Sequence, residues 1–483
     1  SVLKLLEQRR PVRHLSKIPK GFRWTIAGIF ILMGGIVLYV SADLLGAPTS
    51  TLTEHMRQMG IYTVSLPLVP WLTMFGSITY MLFVFSHRFR FPRYVFPPVI
   101  ISAVIAVVWL TWYIGPLNFY DTTHYIGPIH DTRMGIPLLT GPTWYGFFPI
   151  VLLSALFRII PLTLLNFSII IASVETAGLI LFFFFQLWLF KSLRWSLVGT
   201  FLAVLFHFLV QYGFPNLFPQ ATFIRFGIWM AVAAALYWQA GTHRHGIWPT
   251  IVLALAIGLT FFWTTDMGVY VLGAYVSAMW LLGITRSIPH SLRSFTAFIV
   301  PAVAGISFFY VAITLYYLIS YRTLPMWSNF WAFAWSYTTI REFALPMPRS
   351  VIPWAFLSIP VITLTLALFG SHRDRKPNPE RTVMVFLSLV TLFSFTYFAG
   401  DSHLNALHSI SLPVIICFIW LIREFFRWAK TLGPPTLFAA LFLFSSVTAA
   451  PIVVWGIEAM ATIQTGTIRA SLQTIRDPKR TEQ

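Results

Sequence analysis

The residues of this chain best equipped for chemistry are crowded into one short polar stretch, Tyr120-Asp121-Thr122-Thr123-His124-Tyr125-Ile126-Gly127-Pro128-Ile129-His130-Asp131-Thr132-Arg133. Among 483 residues there are only 15 Asp and Glu, so Asp121 and Asp131 beside His124, His130 and Arg133 are a concentration. A carboxylate partly shielded from water has a raised pKa and can take a proton from a hydroxyl within hydrogen-bonding reach. An arginine close by can grip a phosphate through two parallel hydrogen bonds. The same carboxylates and imidazoles suit a divalent cation, Mg²⁺ or Mn²⁺, although their spacing is not that of any tight ligand set. The competing reading is a solvated turn whose charges only keep it wet. The functional reading is preferred because the stretch continues into 144–162, an apolar segment that the topology below refuses to let cross.

Further candidates are scattered along the chain. Asp401, His403, Asn405 and His408 form a polar patch between two apolar runs and suit phosphate or sugar hydroxyls, or equally a plain polar turn. Arg225, after Asn216 to Gln220, is a cation at the start of an apolar run and suits an anionic headgroup. Asp266, after Trp263, is another carboxylate at a run boundary. Glu175 and His207 stand inside apolar runs, where ionisable groups are costly and count as functional candidates by default. His207 reads more readily as a hydrogen-bonded core residue. The chain has no phosphate-binding P-loop, no G-x-G-x-x-G, no H-E-x-x-H and no G-x-S-x-G, which speaks against an ATP-driven pump or a familiar hydrolase.

The elements that must position these residues are set by composition. Hydrophobic residues make up 57% and charged residues 10%, well under the roughly 25% charge of a soluble domain. Apolar runs of about 20 residues recur, each long enough for a hydrocarbon core of ~30 Å. They fall at 24–45, 66–87, 95–115, 167–190, 194–213, 224–240, 249–264, 268–284, 296–320, 351–370, 383–399, 408–424 and 434–456. The fold class is therefore all-α: a polytopic bundle of about thirteen spanning helices whose outer-face loops carry short interfacial helices. The net charge of +18 sits in short loops between runs, which fixes topology and meets anionic lipid and does not indicate nucleic acid. With the N-terminus in the cytoplasm, the basic loops at 87–90, 191–194, 243–245, 286–293, 372–376 and 423–430 all face inward, as the positive-inside rule requires. This works only if Trp144 to Leu162, which carries Pro149, Arg158 and Pro161, is a re-entrant or interfacial helix on the outer side. The lone cysteine, Cys417, excludes an internal disulfide. The stretch Trp327 to Phe343 reads as an amphipathic helix lying in the interface.

Taken together these features resemble the GT-C superfamily of polytopic membrane glycosyltransferases, across roughly residues 95–460. Gly135-Ile136-Pro137-Leu138 followed by Tyr145-Gly146 looks like a "G-x-P-L … Y-G" stretch of bacterial members. Phe398 to Asn405 looks like their "Y-x-G-R-S-H-x-N" stretch, with Asp401 where an arginine is frequent. The resemblance implies a polyprenyl-phosphate-linked sugar donor, a glycan, lipid or protein acceptor, and an inverting transfer at the outer face of a bacterial inner membrane. It makes Asp121 the general base and Asp131 a second acid, a metal ligand or an acceptor contact. It divides the chain into 1–94, a tail with two extra helices; 95–460, the transferase-like domain; and 461–483, a basic tail. Two other classes stay open: a transporter or flippase of lipid-linked precursors, and a non-catalytic membrane subunit of a larger complex.

Overall fold

The computed structural model describes residues 119–141, 146–210, 222–241, 247–286, 288–332, 351–373, 378–400, 407 and 410–429. All lie in the compact unit Thr63–Gln483. The spans expected at 24–45, 66–87, 95–115 and 434–456, and the boundaries at 94 and 460, lie outside the described residues.

Apolar sequence in lipid leaves the backbone no water to bond, so it closes its own hydrogen bonds as helix. The described residues do this throughout, with no strand among them. In chain order they are α1 (Phe119–Arg133), a 3₁₀ turn (Leu138–Thr140), α2 (Phe148–Leu156), α3 (Leu164–Phe190), α4 (Leu193–Val210), α5 (Phe223–Phe226), α6 (Trp229–Gly241), α7 (Ile247–Trp263), α8 (Thr265–Arg286), α9 (Ile288–Tyr321), α10 (Val351–Arg373), α11 (Pro379–Gly400) and α12 (Ser411–Ala429). Each expected run from 167–190 to 408–424 falls on one of these, with α5 and α6 sharing the run 224–240. Four stretches are long and apolar enough to cross a bilayer: Leu164–Phe190, Phe223–Gly241, Thr265–Thr285 and Ile299–Tyr321. With the composition, they mark a membrane protein.

Local chemistry sets the helix ends. Thr163 caps α3 by accepting from the Asn166 backbone N–H at 3.1 Å, and Lys191 ends it in a left-handed conformation at φ 50°. Asn378 caps α11 by accepting from the N–H groups of Glu380 and Arg381 at 3.1 and 3.3 Å. Without these partners the first N–H groups of each helix would be orphaned.

The core sits around α11 and α12, where Val383 to Leu387 and Val414 to Leu421 are buried on every side. A helix apolar all round belongs in the middle of a bundle. By contrast α9 turns Val300, Val303, Phe308, Val311, Leu315 and Ile319 outward, a lipid-facing stripe. It packs on α7 at a backbone-to-backbone crossing, where a Cβ on Gly258 would lie 2.3 Å from the Gly305 carbonyl oxygen and one on Gly305 would lie 1.8 Å from that of Ala254.

Side-chain contacts sort the helix ends into two sets. At one end the Arg423 guanidinium meets Glu380 and the Phe190 carbonyl, Trp420 donates to Glu380 at 2.8 Å, and Gly241 abuts Pro379. At the other, Arg225 meets Asp266 and the Tyr397 ring, Trp263 donates to the Ile224 carbonyl, and Leu139 meets Tyr317. Successive helices run in alternate directions between these ends. The basic residues Lys191, Arg194, Arg423 and Arg427 fall at the first end, and the 119–160 segment, Arg225 and Asp266 at the second.

The segment Trp144 to Leu162, described from residue 146, is not one long helix. Its helix α2 has 9 residues. That is about 14 Å of axis against a hydrocarbon core of ~30 Å. Pro149 opens it, and a turn at Phe157 to Ile160 closes it.

Candidate functional site

The polar stretch read as a loop is a helix. Gly127 and Pro128 are loop signals, and Pro inside a helix costs ~3 kcal/mol. Packing overrides them: Tyr125 and Ile129, one turn apart, are fully buried in a cluster with Ile150, Leu153, Phe157, Phe167 and Ile171. Burying two such side chains offsets that cost, at roughly 1.5–3 kcal/mol each. The Thr132 hydroxyl donates to the Pro128 carbonyl at 2.7 Å. The helix stops at Gly135, φ +85°, where Ile136 N–H reaches the Asp131 carbonyl at 2.9 Å and Gly135 N–H that of Thr132 at 3.2 Å. These paired bonds form a Schellman ending, which glycine favours because a left-handed residue is needed. Gly135 of the G-x-P-L stretch is thus a helix stop.

Helicity redistributes the expected site. Ten residues of helix put Asp121 and Asp131 about 15 Å apart along the axis. They cannot hold one cation between them. Arg133 is farther still from Asp121, about 18 Å. Asp121 lies one turn before His124 along the helix, and the exposed Asp131 goes with exposed His130, whose Nδ1 lies 3.8 Å from the carboxylate. Among the described residues no group of three or more His, Cys, Asp and Glu gathers to hold a metal.

The Arg225 and Asp266 expected as separate substrate contacts bind each other. Arg225 Nη2 and Nε donate to one Asp266 oxygen at 2.6 and 3.1 Å, with the arginine 1% and the aspartate 11% exposed. The guanidinium also lies 4.8 Å from the Phe226 ring centre and 4.9 Å from that of Tyr397. The sequence offered Arg225 to an anionic headgroup; in the structure it is buried and held by the Asp266 carboxylate. It fixes the break between α5 and α6 to the first turn of α8, where a carboxylate also meets the positive end of the helix dipole.

That break is recessed. Glu175 accepts from the Phe223 backbone N–H, and it stands about 16 Å along α3 from Leu164. The short helix α5 is thereby held at the depth of mid-α3, with Trp263 donating to its Ile224 carbonyl. Ile224 belongs to the same buried cluster as Tyr125 and Ile129, so α1 and α2 close over the recess. His207 lies on α4. The candidates Asp401, His403, Asn405 and His408 lie outside the described residues.

A second convergence went unread in the sequence. The Leu139 N–H donates to the Tyr317 hydroxyl at 2.9 Å, and the Asn329 amide donates to the Leu139 carbonyl at 2.9 Å. Gly146, φ +98°, lies so close to α7 that a Cβ would sit 1.9 Å from the Trp263 carbonyl oxygen. Residues 327–332 are helical, and Trp327 stacks on Tyr310 with ring centres 4.5 Å apart. Between these pieces lies a cavity of about 330 Å³, lined by residues from 135–140 and 317–326. The available signal was Tyr317 and Tyr321, one helical turn apart at the end of an apolar run.

No protein family, no characterised protein and no solved structure matches this chain.

Proposed function

We propose that this chain is a membrane glycosyltransferase moving a sugar from a polyprenyl-phosphate donor to an acceptor hydroxyl at the outer face, with inversion. One observation carries the reading: the buried cluster that brings Tyr125, one turn past Asp121, together with Ile224, which is joined to Arg225. In this reading a scarce carboxylate stands near the recessed polar break, under short helices that do not cross.

In the proposed step the acceptor oxygen bonds to the anomeric carbon while the carbon–oxygen bond to phosphate breaks. Asp121 takes the acceptor proton, and the electron pair leaves with the phosphate. A departing phosphate is stabilised by charges that need no reorganisation, and Arg225, buried against Asp266, orders the break beside it rather than meeting the phosphate. Asp131 and Arg133, at the far end of α1, are assigned to the acceptor. Thirteen spans, a cytoplasmic N-terminus and a bacterial inner membrane belong to the same proposal. The test is an Asp121→Asn protein assayed for sugar transfer from a polyprenyl-phosphate donor. A fall of about a hundredfold or more is expected for loss of a general base. Full activity in a folded protein removes Asp121 from the mechanism.

The recessed break also suits a transporter or flippase of lipid-linked precursors, since discontinuous helices at bilayer depth form many transport sites. That reading expects lipid-linked sugar to bind and cross without any product.

A further inference from the structure

We infer that the cavity between 135–140 and 317–326 is a subsite for a neutral sugar ring, belonging to an acceptor glycan longer than one residue. The inference rests on the transferase reading for the word acceptor, and on the cavity itself for the word sugar.

The lining carries the argument. Gly135, Pro137, Leu139, Thr140, Tyr317, Tyr321, Thr323, Leu324 and Met326 surround about 330 Å³, at the small end of the ~300–1,000 Å³ range of ligand sites. No charged side chain is among them, though the Arg158 charge acts on the Tyr321 hydroxyl from nearby. Tyr321 presents ring surface, backed by the buried Tyr317 one turn earlier on α9, with ring centres 5.5 Å apart. Hydroxyls of Thr140, which donates to the Pro137 carbonyl at 2.7 Å, of Thr323 and of Tyr321, 3.5 Å from that of Tyr316, punctuate the apolar wall and still offer acceptor oxygens. A flat aromatic face for C–H groups and a few hydroxyl oxygens for O–H groups match a sugar ring. A hydrocarbon chain has no use for the hydroxyls.

The cavity is also built to hold its shape. Tyr317 is fixed by accepting the Leu139 N–H, and Leu139 is fixed from its other side by Asn329. Arg322, at φ 56°, turns the chain at the end of α9 so that Thr323, Leu324 and Met326 fold back as the far wall. A non-glycine residue in that conformation costs ~1 kcal/mol or more, so the turn is held by its surroundings. The wall begins at Gly135, two residues past Arg133 and the far end of α1 from Asp121. An acceptor reaching from this cavity to Asp121 must therefore be longer than one sugar, its remote ring supplying binding energy away from the reacting hydroxyl.

The experiment is saturation-transfer NMR on the full chain in lipid nanodiscs, with maltose, cellobiose, lactose and diacetylchitobiose as probes. At least one disaccharide is expected to receive saturation on its ring C–H protons. The signal should fall about tenfold in Thr140→Trp, which fills the cavity, and in Tyr321→Ser, which removes a stacking ring. It should persist in Tyr321→Phe and in Asp121→Asn. Transfer to none of the sugars, or transfer indifferent to both Thr140→Trp and Tyr321→Ser, overturns the subsite. So does labelling of 135–140 or 321–326 by a photoreactive alkyl chain that Thr140→Trp blocks, which gives the cavity to a lipid tail. Loss of transfer activity in Asp121→Asn with no sugar bound here sinks the subsite and leaves the transferase. Sugar bound here while Asp121→Asn keeps full activity does the reverse.

Discussion

Arg225 and Asp266, 41 residues apart in the chain, share a 2.6 Å contact that neither run could reveal alone. The pair joins a helix break to the start of another helix, and it is almost fully buried. Breaking such a pair from one side leaves a bare charge in a poor dielectric, at a cost of roughly 3–5 kcal/mol. Asp266→Ala and Arg225→Ala should each lower the unfolding temperature of purified protein sharply. The combined Arg225→Met, Asp266→Leu protein should recover much of the loss, as an apolar pair of similar volume often does. Losses that simply add in the double variant would show that the pair contributes nothing as a pair.

The crossing of α7 and α9 gives a contrast between glycines. Gly305→Ala must push apart two backbones, since its Cβ would sit 1.8 Å from the Ala254 oxygen. Gly127 on α1 has nothing within 4 Å of an added Cβ. Gly127→Ala should therefore gain about 0.5–1 kcal/mol, the usual difference inside a helix. Thermal unfolding should move up for one and down for the other.

Gly135 and Gly146 separate conformation from space. Both have positive φ, but only Gly146 is also crowded, by the Trp263 and Thr264 backbone. Gly135→Ala should cost about 1–2 kcal/mol, the price of a left-handed alanine. Gly146→Ala should cost more and loosen α2 from α7. Limited proteolysis at 141–147 should accelerate in Gly146→Ala well before it does in Gly135→Ala.

Glu175 is tied to the recess by accepting from the Phe223 backbone N–H. Glu175→Gln keeps an oxygen for the Phe223 N–H and should be tolerated. Glu175→Leu leaves that N–H unpaired, at roughly 1–3 kcal/mol. Hydrogen exchange at Phe223 is the direct readout, and equal protection in both variants would dissociate Glu175 from the break.

Sidedness can be read with thiol labels. Cys417, the single cysteine of the chain, is buried in α12. Asp131 and Arg427 are both exposed, each with 58% of its side chain accessible, at opposite ends of the bundle. In a Cys417→Ser background, Asp131→Cys should react with an impermeant maleimide on intact cells, and Arg427→Cys only after permeabilisation. The opposite pattern places Asp121 on the cytosolic side and ends the outer-face proposal.

The sequence by itself determined where the apolar runs become helix and that 144–162 holds no long one. Both follow from local quantities: run length against bilayer thickness, and prolines that a helix tolerates only near its start, as at Pro149. The basic clusters Lys191, Arg423 and Arg427 do gather at one end, while Arg133, Arg158 and Arg225 lie with Asp266 at the other.

Tertiary structure alone decided what the polar residues do. The pattern around Gly127-Pro128 reads as a turn, and only Phe157, Phe167 and Ile171 closing over Tyr125 and Ile129 make it a helix. That one change moves Asp131 and Arg133 away from Asp121. Whether Arg225 is a free cation or half of a neutral pair depended on two helix ends arriving at the same depth, a matter of packing between distant segments that spacing along the chain does not encode.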